Sequence, residues 1–137
     1  MTPLFTKLNY KGQEHITLLN APPSFEPELA ALSAAIPALS VDRNAESLDA
    51  VDFGLAFART KAELDGVSKA LSEKARGDAL LWLAYPKQSS KLYVCDFNRD
   101  QGWDVLESAG FRPVRQVAID EDWSALRWRK SSYIKRS

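Results

Sequence analysis

The run Ala79-Leu80-Leu81-Trp82-Leu83-Ala84-Tyr85 is apolar without alternation, the pattern of a strand buried on both faces in the middle of a parallel sheet. Pro86 ends it, and Lys87-Gln88-Ser89-Ser90-Lys91 follows as a polar, cationic loop. In open α/β sheets, ligands bind in the crevice outside the carboxyl ends of the strands. This one stretch therefore predicts a rigid centre carrying a polar lip.

The flanking sequence is compatible with that centre. Tyr10-Lys11-Gly12-Gln13 reads as a turn that launches a strand over His15-Ile16-Thr17-Leu18-Leu19. Pro27 suits a first helical turn and Glu26 and Glu28 suit the positive end of its dipole. Leu29, Leu32 and Ile36 at helical spacing carry that helix to Ala35 or Ile36, before Pro37. Leu39 to Val41 reads as a short edge strand and Asp42 to Asp49 as a loop. Val51 to Ala58 is a second central strand, with Phe53, Leu55 and Phe57 on one side and small residues on the other, leaving room for a helix. Thr60 and Glu63 form a capping box, Leu64, Val67 and Leu71 the buried stripe of the helix that follows, and Gly77 its stop. A helix is expected from about Arg99 to Ala109. Strands are expected over Pro113 to Ile119 and Ser124 to Arg129, joined by Asp120-Glu121-Asp122-Trp123.

Strands alternating with helices predict right-handed crossovers and a mostly parallel sheet with helices on both faces, a three-layer α/β Rossmann-like architecture. The tight last connection makes the final strand antiparallel. This ending resembles the class I AdoMet-dependent methyltransferase fold, most clearly from Val51 to Lys130. More narrowly, Leu81 to Lys91 and Val117 to Arg127 resemble a family of small bacterial proteins of unknown function that look like shortened methyltransferase domains. The resemblance implies a fold and no activity. It also implies a glycine-rich cofactor turn after the first strand, where backbone must approach the ligand closely. Here that turn is Asn20-Ala21-Pro22-Pro23-Ser24, with no glycine and two prolines that lack amide donors. A strand and a helix of that fold are expected to be missing between Val41 and Val51. Asp42 stands where the fold often places an acid for a ribose hydroxyl, although a turn role outweighs that reading.

The 137 residues read as a single domain, 1–137, with a basic tail at about 130–137. Eighteen basic and 18 acidic side chains leave no net field for nucleic acid or an anionic membrane. The start lacks the apolar core of a signal peptide and no later run would span a bilayer, so the expected location is cytoplasmic. Cys95 is the sole cysteine and His15 the sole histidine, which excludes a disulfide framework and leaves no metal spacing or nucleophile–base pair. Asp96, Asp100 and Asp104 read as cap and dipole residues of a helix start rather than a cation site. No cofactor and no catalytic residue is expected.

The candidate ligand site is what the topology gathers at the carboxyl edge: Asn20 after the first strand, Arg59 and Thr60 after the second central strand, and Tyr85, Lys87, Ser89, Ser90 and Lys91 after its neighbour. Lysines and serines beside helix starts suit a small anion held by charge-assisted hydrogen bonds. The competing expectation pairs Lys87 and Lys91 with Asp120, Glu121 and Asp122 across two loops, an arrangement that needs no ligand. Trp82, Trp103 and Trp128 are expected in the core; Trp123, placed in the turn, is held open for a ligand or partner. The function expected is binding of a small anion or a protein partner without catalysis. The alternatives are an AdoMet-dependent methyltransferase with an atypical cofactor turn and a structural or oligomerising module.

Overall fold

The computed structural model describes residues 2–134; the last residues of the expected basic tail lie outside the described residues. The elements run in the order α1 (Pro3–Lys7), β1 (His15–Leu19), α2 (Glu26–Ala35), β2 (Ser40–Asp42), β3 (Val51–Phe57), α3 (Lys61–Lys74), β4 (Ala75–Pro86), α4 (Asp104–Ser108), β5 (Phe111–Ala118) and β6 (Trp123–Lys130). They build a six-stranded sheet ordered β2-β1-β3-β4-β6-β5. Strands β1 to β4 pair in parallel, and β6 lies antiparallel between β4 and β5. The expected mostly parallel sheet with an antiparallel C-terminal strand is thus the observed one. Between β2 and β3 the chain makes one 3-10 turn, Ala45–Ser47, and adds no further strand or helix.

Alternation along the strands sorts the core into two layers. Phe53, Leu55, Phe57, Leu80, Trp82 and Ala84 pack with Leu4, Phe5, Phe25, Leu29 and Leu32, so α1 and α2 cover that face. Val51, Ala56, Leu81 and Leu83 pack with Leu64, Val67, Leu71 and Leu106, so α3 and α4 cover the other. Gly54 explains how closely α3 approaches: a Cβ there would lie 2.9 Å from Leu71 Cδ2 and 3.1 Å from Val51 Cγ1. The α3 N-terminus is capped nearly as expected. Glu63 N donates to Thr60 Oγ1 at 3.1 Å, while the Glu63 carboxylate takes the amide of Arg59, one residue outside the cap, at 2.8 Å.

One element carries no sequence expectation, and three expectations are corrected. The opening segment forms α1, capped by Thr2; it holds because the Trp82 indole N–H donates to the Leu8 carbonyl at 2.8 Å in the buried core. Gly77 does not stop α3, which ends at Lys74; it lies at φ 58° in the irregular start of β4, where pairing with β3 shifts register. The helix expected from Arg99 shrinks to α4, since Asn98 Oδ1 takes the Asp100 amide at 2.8 Å and Gly102 sits at φ +104°, outside helical backbone. Trp123 is the first residue of β6 rather than a turn residue, and is 2% exposed.

Leu83 is fully buried on β4. Leu83→Ala should cost about 2–5 kcal/mol in urea unfolding; a loss well below that range would mean the strand is not held on both faces.

Candidate functional site

Crossovers fix where a Rossmann-like sheet opens. The chain leaves β1 over one face through α2 and leaves β3 over the other through α3, so the strand order reverses between β1 and β3. Ligands of such sheets bind at that point. Here it is filled. Phe25, from the turn after β1, packs edge-on against Phe57 at 5.2 Å between centroids; Phe57 meets Trp123 at 5.0 Å, and Trp123 meets Tyr93 at 5.0 Å. Pro23–Phe25 forms a 3-10 turn, and the Phe25 amide is spent on the Pro22 carbonyl at 2.9 Å. Arg43, just after β2, grips Glu26 at the start of α2 with both arms, at 2.9 and 2.6 Å. That guanidinium holds the Glu26 carboxyl below its usual pKa. The residues at this position do not fit AdoMet: the turn has no glycine, two of its residues are prolines without amides, and aromatic side chains pack at the crevice.

The open space lies one strand pair further along. A cleft of about 1130 Å³ runs between the end of β4, the loop 86–102, the start of β6 and the later part of β5. Tyr85, Lys87, Ser89 and Ser90 line it, as do Cys95, Asn98, Arg99 and Gln116. Arg59 and Thr60 line a smaller hollow beside it, about 470 Å³, whose wall of Tyr93 and Val94 is shared with the cleft. Arg59 lies over the Tyr93 ring, 5.9 Å from its centroid. Three of the sequence candidates line neither hollow: exposed Asn20, at φ 58°, exposed Lys91, and buried Trp123. Asp42 serves a turn, its Oδ1 facing the Asn44 amide at 3.5 Å.

The expected pairing of Lys87 and Lys91 with the acidic hairpin is replaced by a different tie. Neither ammonium forms an ion pair among the described residues. Instead the Lys87 amide donates to the Asp122 carbonyl at 2.8 Å, and Ser90 Oγ donates to Asp122 Oδ1 at 2.8 Å. Ser90 Oγ also accepts the amides of Leu92 and Tyr93, each at 3.2 Å. Loop and hairpin are joined through a serine, which leaves the Lys87 charge unspent at the cleft. The acids around the cleft are occupied: Asp96 takes the Lys61 amide at 2.6 Å, and Asp100 lies 3.6 Å from Arg99. Lys61 is itself held by Asp65 and by Asp104, the latter at 2.9 Å, and both raise its pKa. The three aspartates expected to share a helix start thus cap α3 and pair with cations, and no cluster fit to hold a metal occurs among the described residues.

At the cleft wall a relay fixes one hydroxyl. Arg99 Nε donates to Gln116 Oε1 at 2.9 Å, and Gln116 Nε2 donates to the Tyr85 hydroxyl at 2.7 Å. A guanidinium can only donate, so the amide has one orientation and the Tyr85 oxygen can only accept from it. The Tyr85 proton remains free to be given elsewhere. Burial, with Arg99 opposing it, raises the Tyr85 pKa, so the proton stays on at neutral pH. Phe97 and Trp103 pack on the Tyr85 ring at 5.9 and 5.8 Å and hold it in place. Cys95 is half-buried, and burial pushes its thiol pKa up, which lowers its reactivity. Arg99 and Gln116 were missed from the sequence; a glutamine inside a strand next to the buried tyrosine's strand pair was the available signal.

No family model and no curated protein matches the sequence. Solved structures do match the fold. A SAM-dependent methyltransferase from Aquifex aeolicus superposes with a TM-score of 0.64 at 14% identity, over 92% of this chain and 87% of its own. Magnesium protoporphyrin IX methyltransferase from Synechocystis PCC 6803, with SAH bound, gives 0.54 at 14% identity, over 77% and 58%. A possible exported protein from Bordetella parapertussis gives 0.53 at 12%, over 85% and 53%, so the chain spans about half of that protein's length. The chain shares the fold of these SAM-dependent methyltransferases.

Ser90→Ala should remove the tie between loop and hairpin, lowering stability by about 1 kcal/mol and speeding hydrogen exchange at the Leu92 and Tyr93 amides. Unchanged exchange at those amides would show that something else anchors the loop.

Proposed function

We propose that this chain is a binding domain without catalysis, which takes a small anionic ligand in the cleft at the carboxyl end of β4. The observation that carries the reading is the Tyr85 hydroxyl, which accepts from Gln116 and so keeps its own proton to give, in a cleft also lined by Lys87, an ammonium without an ion pair among the described residues. A buried donor, an ammonium and a guanidinium around one hollow suit a carboxylate or phosphate, with charge-assisted bonds worth about 1.5–3 kcal/mol each. The ligand class is a small acid rather than nucleic acid, in keeping with 18 basic and 18 acidic residues. A protein partner at the same lip is a second occupant favoured by Leu92 and Val94, which are 73% and 90% exposed beside the smaller hollow.

AdoMet-dependent methyl transfer is the other reading, favoured by the fold alone. Against it stand the Phe25–Phe57–Trp123–Tyr93 packing and the glycine-free turn. Calorimetric titration with AdoMet should therefore detect no binding at micromolar concentration. A clear micromolar isotherm would put the methyltransferase reading first.

A thermal-shift screen of small carboxylates and phosphates tests the cleft directly, because a ligand that binds the native state raises the melting temperature. Lys87→Ala should leave ligand-free stability within about 0.5 kcal/mol and abolish the ligand-induced shift. Lys91→Ala, outside the cleft, should keep it. Tyr85→Phe should weaken binding about tenfold or more. A ligand response that survives both Lys87→Ala and Tyr85→Phe would retire the site.

A further inference from the structure

The face of β5 and β6 turned away from the cleft carries arginines set against one another. Register places Arg112 opposite Arg129 and Arg115 opposite Arg127, with Trp82 on the other side of Arg127 across β4. Like charges directly opposite on a sheet repel. The second pair exists because of one extra residue: pairing shifts between Pro113 and Arg115, so Val114 bulges out and Arg115, not Val114, faces Arg127. Without that bulge, Arg115 would turn to the α4 side.

The cations on this face differ in what they have to bind. Arg129 is satisfied by both oxygens of Asp78, at 2.8 and 2.5 Å. Arg112 donates to the carbonyls of Glu107 and Phe111, at 3.1 and 2.7 Å. Arg115 and Arg127 form no ion pair among the described residues. Arg127 Nε is moreover buried with no hydrogen-bond partner. Burial, then Arg129, weighs against its positive charge, and Arg115 adds to this while Asp78 opposes it. An arginine does not give up its proton in response, so the pair stays charged, with Asp78 near Arg127 but no anion at ion-pair distance of either guanidinium among the described residues.

We propose that Arg115 and Arg127 form a clamp for one small phosphate-like oxyanion, on the sheet face opposite the β4 cleft. A tetrahedral oxyanion held by the outer guanidinium nitrogens of both residues would offset the cross-strand repulsion, supply the counter-charge that the half-buried Arg127 lacks at contact distance, and use the forked donors that suit phosphate. The site shares no residue with the cleft: Gln116, the next residue on β5, is the one that bonds Tyr85 on the other face.

The test is a titration of the full chain with inorganic phosphate at constant ionic strength, balanced by sodium chloride, following the arginine Nε–H resonances and the melting temperature. The expected result is a saturating shift of the Arg127 signal and a melting temperature higher in phosphate than in chloride. Arg115→Gln should weaken that response about tenfold or more, and in phosphate-free buffer the variant should be at least as stable as the parent because the repulsion is gone. Lys87→Ala should leave the Arg127 response intact, which separates this clamp from the cleft. The proposal fails if the Arg127 signal does not saturate with phosphate, if Arg115→Gln responds as the parent does, or if Lys87→Ala abolishes the Arg127 shift.

Discussion

Burial of β4 on both faces is the constraint from which the rest of the molecule follows. Leu81 and Leu83 point into the α3–α4 layer while Trp82 and Ala84 point into the α1–α2 layer, so neither layer can shift without disturbing the other. The strand also sets direction. Parallel β3 lies on one side and antiparallel β6 on the other, so the sheet changes its pairing at β4. Even the N-terminal segment depends on it: a five-residue helix has no stability of its own, and α1 holds through apolar packing and the indole hydrogen bond from Trp82.

That arrangement explains why the open space is not where a Rossmann-like sheet ordinarily keeps it. Trp123 begins β6, and pairing places it beside Pro86. From there its ring reaches Phe57 at the end of β3, and Phe25 closes the row from the turn after β1. Aromatic rings packed edge-on are as good a core as aliphatic ones, so a crevice lined this way becomes part of the hydrophobic interior. The loop 86–102 instead arches over the β4–β6 side, pinned by Ser90 to Asp122 and by Asp96 to the α3 amide, and the cleft lies beneath it.

What could be read from the sequence was what depends on local pattern. The apolar run of β4, the Leu64–Val67–Leu71 stripe, the Thr60 cap and the antiparallel final strand all rest on spacing within one segment, and all are present. The failures share a different cause. The turn residues before Trp123 imply a turn position for it, whereas its position is decided by the rings of Phe57 and Tyr93. The helix expected from Arg99 lost its first turn to an Asn98 side chain and to Gly102. Opposite charges in two loops predicted lysine–aspartate pairs; a hydroxyl and a backbone amide took the carboxylate and carbonyl first, because short groups on a fixed backbone lose less freedom on bonding than long lysine stems. Of the candidate residues, Tyr85, Lys87, Ser89 and Ser90 came together as the strand end dictated, and Asn20 and Lys91 did not.

Val114 accounts for the part of the design that no period could reveal. Phe111 is buried in the α3–α4 layer, and Gln116 reaches Tyr85 at the cleft on that same side. They stand an odd number of residues apart, which a regular strand forbids because its side chains alternate. Arg112 and Arg115, equally out of step, both face arginines of β6. One bulged residue resolves both mismatches. It lets β5 anchor Phe111 at one end, deliver Gln116 to the hydroxyl of Tyr85, and turn Arg115 to the far face beside Arg127. The two cationic features of this chain are therefore coupled through one backbone irregularity: shifting the register of β5 to relieve the arginine pair would carry Gln116 away from Tyr85, and the donor geometry of the cleft would be lost with it.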